Sequence, residues 1–207
     1  MAINETEVAG IRPFNPQNPL DADRLHTTFQ LLPSEFSNMW SRTREDIDVE
    51  IEITRPEDTV PNKLTYYAVV SNSPDLPLEE KDQVQGWISV EPDLNAKKLT
   101  ELGILPRHRE ALEIVYARFP DSPVRRHVAS GVRQVCARMG ETYAQNGSLA
   151  DLLITAYVLN RNAASQGLLR ASGFRDHGDS NLWLADQVPF RVYALDWQSL
   201  NQPKVRS

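Results

Sequence analysis

A single cysteine, Cys136, stands in a chain of 207 residues, which excludes an internal disulfide and any cysteine-rich metal site. It falls at helical spacing among apolar residues, the setting of a buried and inert thiol. Histidine is scarce as well: His26, His108, His127 and His177 show no spacing that suits a metal centre. No apolar run approaches the roughly 20 residues that a membrane-spanning helix needs. The opening MAINETEVAG lacks the basic start and apolar core of a secretory signal, so a cytoplasmic protein without membrane contact is expected. Repeats and low-complexity tracts are missing too. Basic residues are outnumbered, 22 Lys and Arg against 28 Asp and Glu, and the net charge of −6 argues against a nucleic-acid partner and favours a cationic one.

What is present reads as one mixed α/β domain over residues 1–207, with disordered ends at 1–9 and 199–207. IRPF (11–14) is a short first strand, followed by a helix that starts near Asp21 or Asp23, both good N-caps, and ends at Pro33. SEFSNMWSRTREDI suggests a second short helix. DVEIEITR (48–55) alternates Val49, Ile51 and Ile53 with polar residues, the pattern of a half-buried strand. KLTYYAVV and QVQGWISVE are further strands around a polar loop. PDLNAKKLTELGILPRHR reads as an irregular excursion.

ALEIVYARF is apolar on both faces, as a central strand should be. The helix after it places Val128, Val132, Val135 and Met139 on one face and stops at Asn146-Gly147. DLLITAYVL is a second central strand, and a helix over 162–172, closed by Gly173, follows it. NLWLAD and FRVYALDW form the last strand pair. The two central strands joined by one helix make a crossover unit late in a mostly antiparallel sheet.

The junction SPVRRHVASGVRQV, just after the first central strand, raises the question of a ligand. A helix N-terminus offers unpaired N–H groups and about half a positive charge, so it attracts anions. Small residues there let the backbone approach a phosphate. Arg126-His127-Val128-Ala129-Ser130-Gly131 has the pattern Arg-x-x-Ala-x-Gly. A register based on Arg125 places the bulky, stiff Val128 at the small-residue position. The plain alternative is a helix start with Ser122 as cap and Pro123 at the first position. One helix and one strand later, Asn162, Ser165, Leu168, Leu169, Gly173 and Phe174 form a second pattern, Asn-x-x-Ser followed by an apolar pair and Gly-Phe.

Together, in this order and spacing, the two motifs resemble the acyl-CoA loop and final motif of the GNAT N-acetyltransferase superfamily. The pattern is nearest to the branch that acetylates ribosomal-protein N-termini. The resemblance implies a mixed, mostly antiparallel central sheet flanked by helices and an acyl-CoA-dependent N-acyltransferase. Acetyl would pass from acetyl-CoA to a primary amine (a small amine, a polyamine or a protein N-terminus) by direct attack in a ternary complex. No metal is implied, and a homodimer is among the assemblies it admits.

The implied cofactor contacts are Arg125, Arg126, His127, Val128, Ala129, Ser130 and Gly131 at the helix start, Ala117, Arg118 and Phe119 on the strand before it, and Asn162, Ser165 and Leu169 after the next strand. A backbone N–H at Phe119 would polarise the thioester. Glu113 is the candidate base, either taking the proton of the amine or, alternatively, facing solvent or an arginine. Tyr116 and Tyr157 are candidates for substrate contact or for core packing. His127 faces phosphate or solvent. Asp176 and Asp179 either line a substrate mouth or are ordinary loop charges. Leu169 stands where the family carries a tyrosine that protonates the leaving thiolate, and Ala129 where it carries a glycine. Those departures keep open a non-catalytic acyl-CoA-binding or interaction protein on the same fold. An unrelated α/β binding domain is the third reading.

Overall fold

A computed structural model of the protein describes residues 9–14, 19–30, 65–71, 84–108, 110–119, 126–145, 147, 152–180 and 190–197. The expected helix at 34–47, the strands at 48–55 and 181–186, Arg125, and residues 1–8 and 198–207 of the ends lie outside them, whereas Ala9, expected in the disordered N-terminal end, is buried and opens the first strand. Apolar β-branched and aromatic runs form the strands. They are β1 (Ala9–Pro13), β2 (Thr65–Ser71), β3 (Val84–Pro92), β4 (Glu110–Arg118), β5 (Leu152–Leu159), β6 (Arg175–Ser180) and β7 (Phe190–Asp196). The helices are α1 (Pro19–Gln30), α2 (Ala96–Glu101), α3 (Arg126–Gln145) and α4 (Ala163–Ala171).

The seven strands form one sheet in the order β1-β2-β3-β4-β5-β7-β6, and the helices flank it. Pairing is antiparallel for β1–β2, β2–β3, β5–β7 and β6–β7, and parallel for β4–β5. A parallel pair needs a crossover, which α3 supplies. This is the mixed, mostly antiparallel sheet that the sequence predicts. No described helix is long and apolar enough to cross a membrane.

By its contacts the chain divides into two compact units, Met1–Val90 with Val115–Val135, and Glu91–Ile114 with Cys136–Ser207. In the first, Phe14, Leu25, Tyr66, Ala68, Val84, Trp87 and Phe119 form a buried cluster, with Val115 and Ala117 packed on it. Helix α1 begins at Pro19, so Asp21 is not its cap but lies in the first turn, buried, in a two-pronged ion pair with Arg12 at 2.6 and 2.9 Å.

The β2–β3 register shifts between Val69, opposite Gly86, and Val70, opposite Val84, leaving Gln85 as an extra residue. A β-carbon on Gly86 would stand 2.5 Å from the Ala117 carbonyl oxygen and 2.7 Å from Val128 Cγ2. At Gly131 it would stand 2.9 Å from Val69 Cγ2 and 3.0 Å from Ile88 Cδ1. Both glycines are there because β3 and α3 approach their neighbours closely.

In the second unit, Ala96, Leu99, Leu105, Leu153, Val192 and Ala194 form the buried cluster, with Ile104, Ala111 and Tyr157 against it. The segment expected to be an irregular excursion is ordered: β3 runs on through Pro92 and α2 follows, presenting Ala96 and Leu99 to that cluster. Residues 175–180, expected as a loop, are strand β6, with a register shift between Asp176 and Asp179 and Gly178 at φ +88°.

Helix α4 ends as its sequence predicts. Gly173 takes φ +93°, its N–H donates to the Arg170 carbonyl at 3.1 Å, and the Phe174 N–H donates to the Leu169 carbonyl at 3.0 Å. That is the paired-bond helix cap that glycine makes without strain. Cys136 is buried, as expected, and burial pushes its thiol up to about 12.

Candidate active site

The second unit gathers ionisable groups where β3 ends. Pro92 has no N–H for a ladder, and the chain leaves the sheet there. Asp93 comes next. Its N–H donates to the Ala111 carbonyl at 2.9 Å, and its Oδ1 accepts the N–H groups of Asn95 at 2.8 Å and Ala96 at 3.1 Å, which turns the chain into α2. Its Oδ2 accepts the hydroxyls of Thr155 at 2.5 Å and Tyr157 at 2.6 Å, both from β5. The buried carboxylate therefore takes four hydrogen bonds.

Glu113 lies on β4 directly opposite Thr155, and the β4–β5 ladder runs from Glu110↔Leu152 to this pair and no further. Paired parallel residues point to the same face, so Glu113 stands on the face that carries Thr155 and Tyr157. It is half-buried. Burial first, then the charges of Asp93 and Glu91, raise its carboxyl to about 8. Among the described residues, the charges that act on Glu113 are carboxylates, and no arginine is among the causes of its shift. Burial, and after it Asp93, push the Tyr157 phenol well above its usual range, so Tyr157 keeps its proton. Asp93, a phenol and a threonine hydroxyl are thus hydrogen-bonded together at the end of the parallel ladder, with Glu113 opposite Thr155 and within the electrostatic reach of Asp93 and Glu91; among the described residues no cluster of acidic or histidine side chains could hold a metal ion.

Tyr157 also packs against the apolar cluster of the second unit. Tyr116 is half-buried in the first unit.

The start of α3, in the first unit, departs from expectation in detail. Helix α3 begins at Arg126, which puts Ala129 in the first turn, half-buried, where helix N–H groups have no intrahelical acceptor. His127 does not face solvent: its ring is buried, with Nε2 3.4 Å from Ser71 Oγ on β2. Val128 and Ser130 are buried too, and the Ser130 hydroxyl accepts from Gln134 Nε2 at 3.1 Å.

The Phe119 N–H is also engaged. It donates to the Gln85 carbonyl at 3.0 Å, within the irregular part of β3, while the ring joins the buried cluster with the Arg24 guanidinium 5.4 Å above it. Ala117 is half-buried and Arg118 exposed.

In the second unit, Asn162 caps α4, its side chain accepting the Ser165 N–H at 3.1 Å. Leu169 is fully buried. Asp176 is not an ordinary loop charge, for it lies in β6. It binds Arg170 at 2.8 Å, Arg191 at 3.0 Å and the Tyr193 hydroxyl at 3.1 Å, tying α4 to β6 and β7. Burial raises its carboxyl, but the bonds from Arg170, Arg191, the Gly178 N–H and Tyr193 outweigh that and hold it below the usual carboxylate range. Asp179 stands 3.5 Å from Arg191 and accepts from the Asn160 amide at 3.1 Å.

Asp93, Glu91 and Thr155 are the site residues that sequence reasoning passes over. One signal was present: Val90-Glu91-Pro92-Asp93 puts two carboxylates at alternate positions, on one face, as a strand runs out.

No protein-family model matches the chain, and no curated protein matches it. Solved structures do. The RimL ribosomal L7/L12 alpha-N-protein acetyltransferase, in complex with coenzyme A, is 12% identical with a TM-score of 0.59, over 91% of this chain and 94% of that one. The microcin C7 self-immunity acetyltransferase MccE, in complex with acetyl-CoA and AMP, is 11% identical with a TM-score of 0.58, over 93% and 94%. A GNAT-family acetyltransferase from Bacillus anthracis is 14% identical with a TM-score of 0.59, over 93% and 96%. The fold is therefore the GNAT acyl-CoA N-acyltransferase fold, along nearly the whole chain.

Proposed function

We propose that the protein is an N-acetyltransferase that uses acetyl-CoA to acetylate a cationic primary amine. The observation that carries this reading is Glu113, a carboxyl raised to about 8, standing at the last pair of the β4–β5 ladder with Asp93 and Glu91 beside it. A base working near neutral pH needs a proton affinity close to the ambient pH, which an ordinary glutamate lacks.

Acetyl-CoA, when bound, supplies an activated acyl carbonyl and a thiol leaving group. The residues that would hold its phosphates are the backbone of Arg126 to Ala129 in the first turn of α3, where the helix field favours an anion and the small side chain of Ala129 leaves access. Asn162 and Ser165 mark the second expected contact, through the first turn of α4.

The chain's own residues carry the rest. An ammonium group entering beside Asp93, Glu91 and Glu113 meets net negative charge, in keeping with a chain of net charge −6. Its approach lowers the proton affinity of Glu113, because a cation favours the ionised carboxyl. The Glu113 Oε atoms then take the proton from nitrogen, leaving a neutral amine with a lone pair. Tyr157 offers its hydroxyl oxygen to a remaining N–H. A small amine, a polyamine and a protein N-terminus all have this group. The last is the acceptor of the RimL neighbour, an alpha-N-protein acetyltransferase.

A second reading, an acyl-CoA-binding protein without catalysis, is favoured by one observation: Leu169 fills the proton-donor position and is sealed in the core. One pair of measurements decides. Acetyl-CoA should raise the unfolding temperature under both readings, a hundredfold excess over Kd adding about 2.7 kcal/mol. Thiol release with an amine panel separates them: acceptor-dependent release supports the transferase, and stabilisation with no release under any amine supports the binder. No stabilisation at all would overturn both.

A further inference from the structure

Glu113 is flanked by two residues that one aspartate grips. Two positions earlier on β4, Ala111 accepts the Asp93 N–H at 2.9 Å. Across the ladder its register partner, Thr155, donates to Asp93 Oδ2 at 2.5 Å. Tyr157, two residues further along the same face of β5, donates to the same oxygen at 2.6 Å. The Asn95 and Ala96 N–H groups hold Oδ1. Charge-assisted bonds of this kind fix a carboxylate in place. Each hydroxyl has one proton to give. With both protons turned to Asp93, the Thr155 and Tyr157 oxygens can only accept from anything else.

We propose that Asp93 is a positioning residue for Glu113: pinned to both strands that carry the site, it holds its carboxyl group in place beside Glu113 and turns the Tyr157 oxygen into an acceptor for the incoming amine. The proposal rests on the reading of Glu113 as the base. It assigns Tyr157 a role opposite to that of an acid. A phenol whose proton is held by Asp93 does not deliver it to a leaving thiolate, and it recognises an N–H donor instead. Among the described residues, the ionisable groups that act on Glu113 are Glu91 and Asp93 from the end of β3 and Tyr157 from β5. The charged side chains of α2, Lys97, Lys98 and Glu101, are exposed.

The test is the titration of Glu113 in ligand-free protein, followed by NMR of carboxyl-labelled glutamate and assigned with Glu113→Gln. In Asp93→Asn, which keeps the shape and removes the charge, the Glu113 midpoint should fall by about one unit or more. A midpoint that stays at its wild-type value overturns the proposal. Should that variant fail to fold, the pair Thr155→Val with Tyr157→Phe keeps the charge and removes both hydroxyl donors. The midpoint should then rise, since the unshared charge on Oδ2 acts on Glu113 at full strength, and an unmoved midpoint again overturns the proposal. Because no turnover is read, an inactive protein would sink the transferase assignment without touching this result. An active one with an unmoved midpoint would sink only the role of Asp93. In an active enzyme, Tyr157→Phe should raise KM for the acceptor more than it lowers kcat.

Discussion

Glu113 and Thr155 form the last registered pair of the parallel ladder, and β4 and β5 run on to Arg118 and Leu159 beyond it. The position joins two properties that seldom coincide. A residue deep in a sheet is held rigidly, and a residue at the end of a pairing can still be reached. A base needs both.

The first prediction concerns pH and rate. In wild type, kcat/KM should rise with pH along a limb centred near 8, the value for Glu113. An acceptor whose own amine titrates well above that separates the two limbs. Glu113→Gln should abolish the limb and lower kcat/KM by about 10²–10⁴. A variant that retains the limb would show that another group takes the proton.

The same group should make stability depend on pH. Folded Glu113 holds its proton up to about 8, whereas the unfolded carboxyl gives it up from 4.5. The folded state binds more protons in that window, so the Glu113 contribution to stability falls as pH rises from 4.5 to 8, by at most about 1.4 kcal/mol per pH unit. Glu113→Gln removes this penalty. Urea melts at pH 5 and pH 9 should show the variant gaining on wild type at the higher pH, and an equal gap at both would contradict the burial of the charge.

Gly86→Ala should destabilise by about 1–3 kcal/mol, towards the upper end, because a backbone carbonyl stands 2.5 Å from the new methyl. Thermal melts measure it directly. The same change at Gly103, where nothing lies within 4 Å, meets no such wall and serves as a control for backbone strain at its φ of +73°.

Leu169→Tyr would place at this position the tyrosine that the resembled acetyltransferase motif carries. Here it should not create an acid. Leu169 is fully buried, so the larger side chain overpacks the core, at about 1–3 kcal/mol, and its hydroxyl needs a buried partner. Lower stability with no gain in thiol release is the expected outcome. A rise in turnover would show that this position faces the cofactor.

Features that depend on neighbours in sequence were readable in advance. The buried face of α3, with Val128, Val132 and Val135, follows from helical spacing, and the Gly173-Phe174 cap from the φ that glycine alone takes easily. The register of Asp93 was not readable, because its partners Thr155 and Tyr157 are 62 and 64 residues away. A polar Pro-Asp step after a strand looks like any loop until the chain returns. His127 illustrates the reverse error. A histidine beside two arginines suggests a wet, anion-facing side chain, yet one helical step turns it into the sheet against Ser71. Gly131 matched a cofactor motif for a reason of packing, since Val69 and Ile88 leave no room for a β-carbon.

The sealed thiol of Cys136 has a practical consequence for enzymology. With its ionisation pushed to about 12 and no other sulfhydryl in the chain, the native protein should be slow to label with thiol-reactive dyes. If the protein releases thiol, colour developed in a coupled assay would then report product alone, and reagents that trap free sulfhydryls could stay in the cuvette without attacking the native chain.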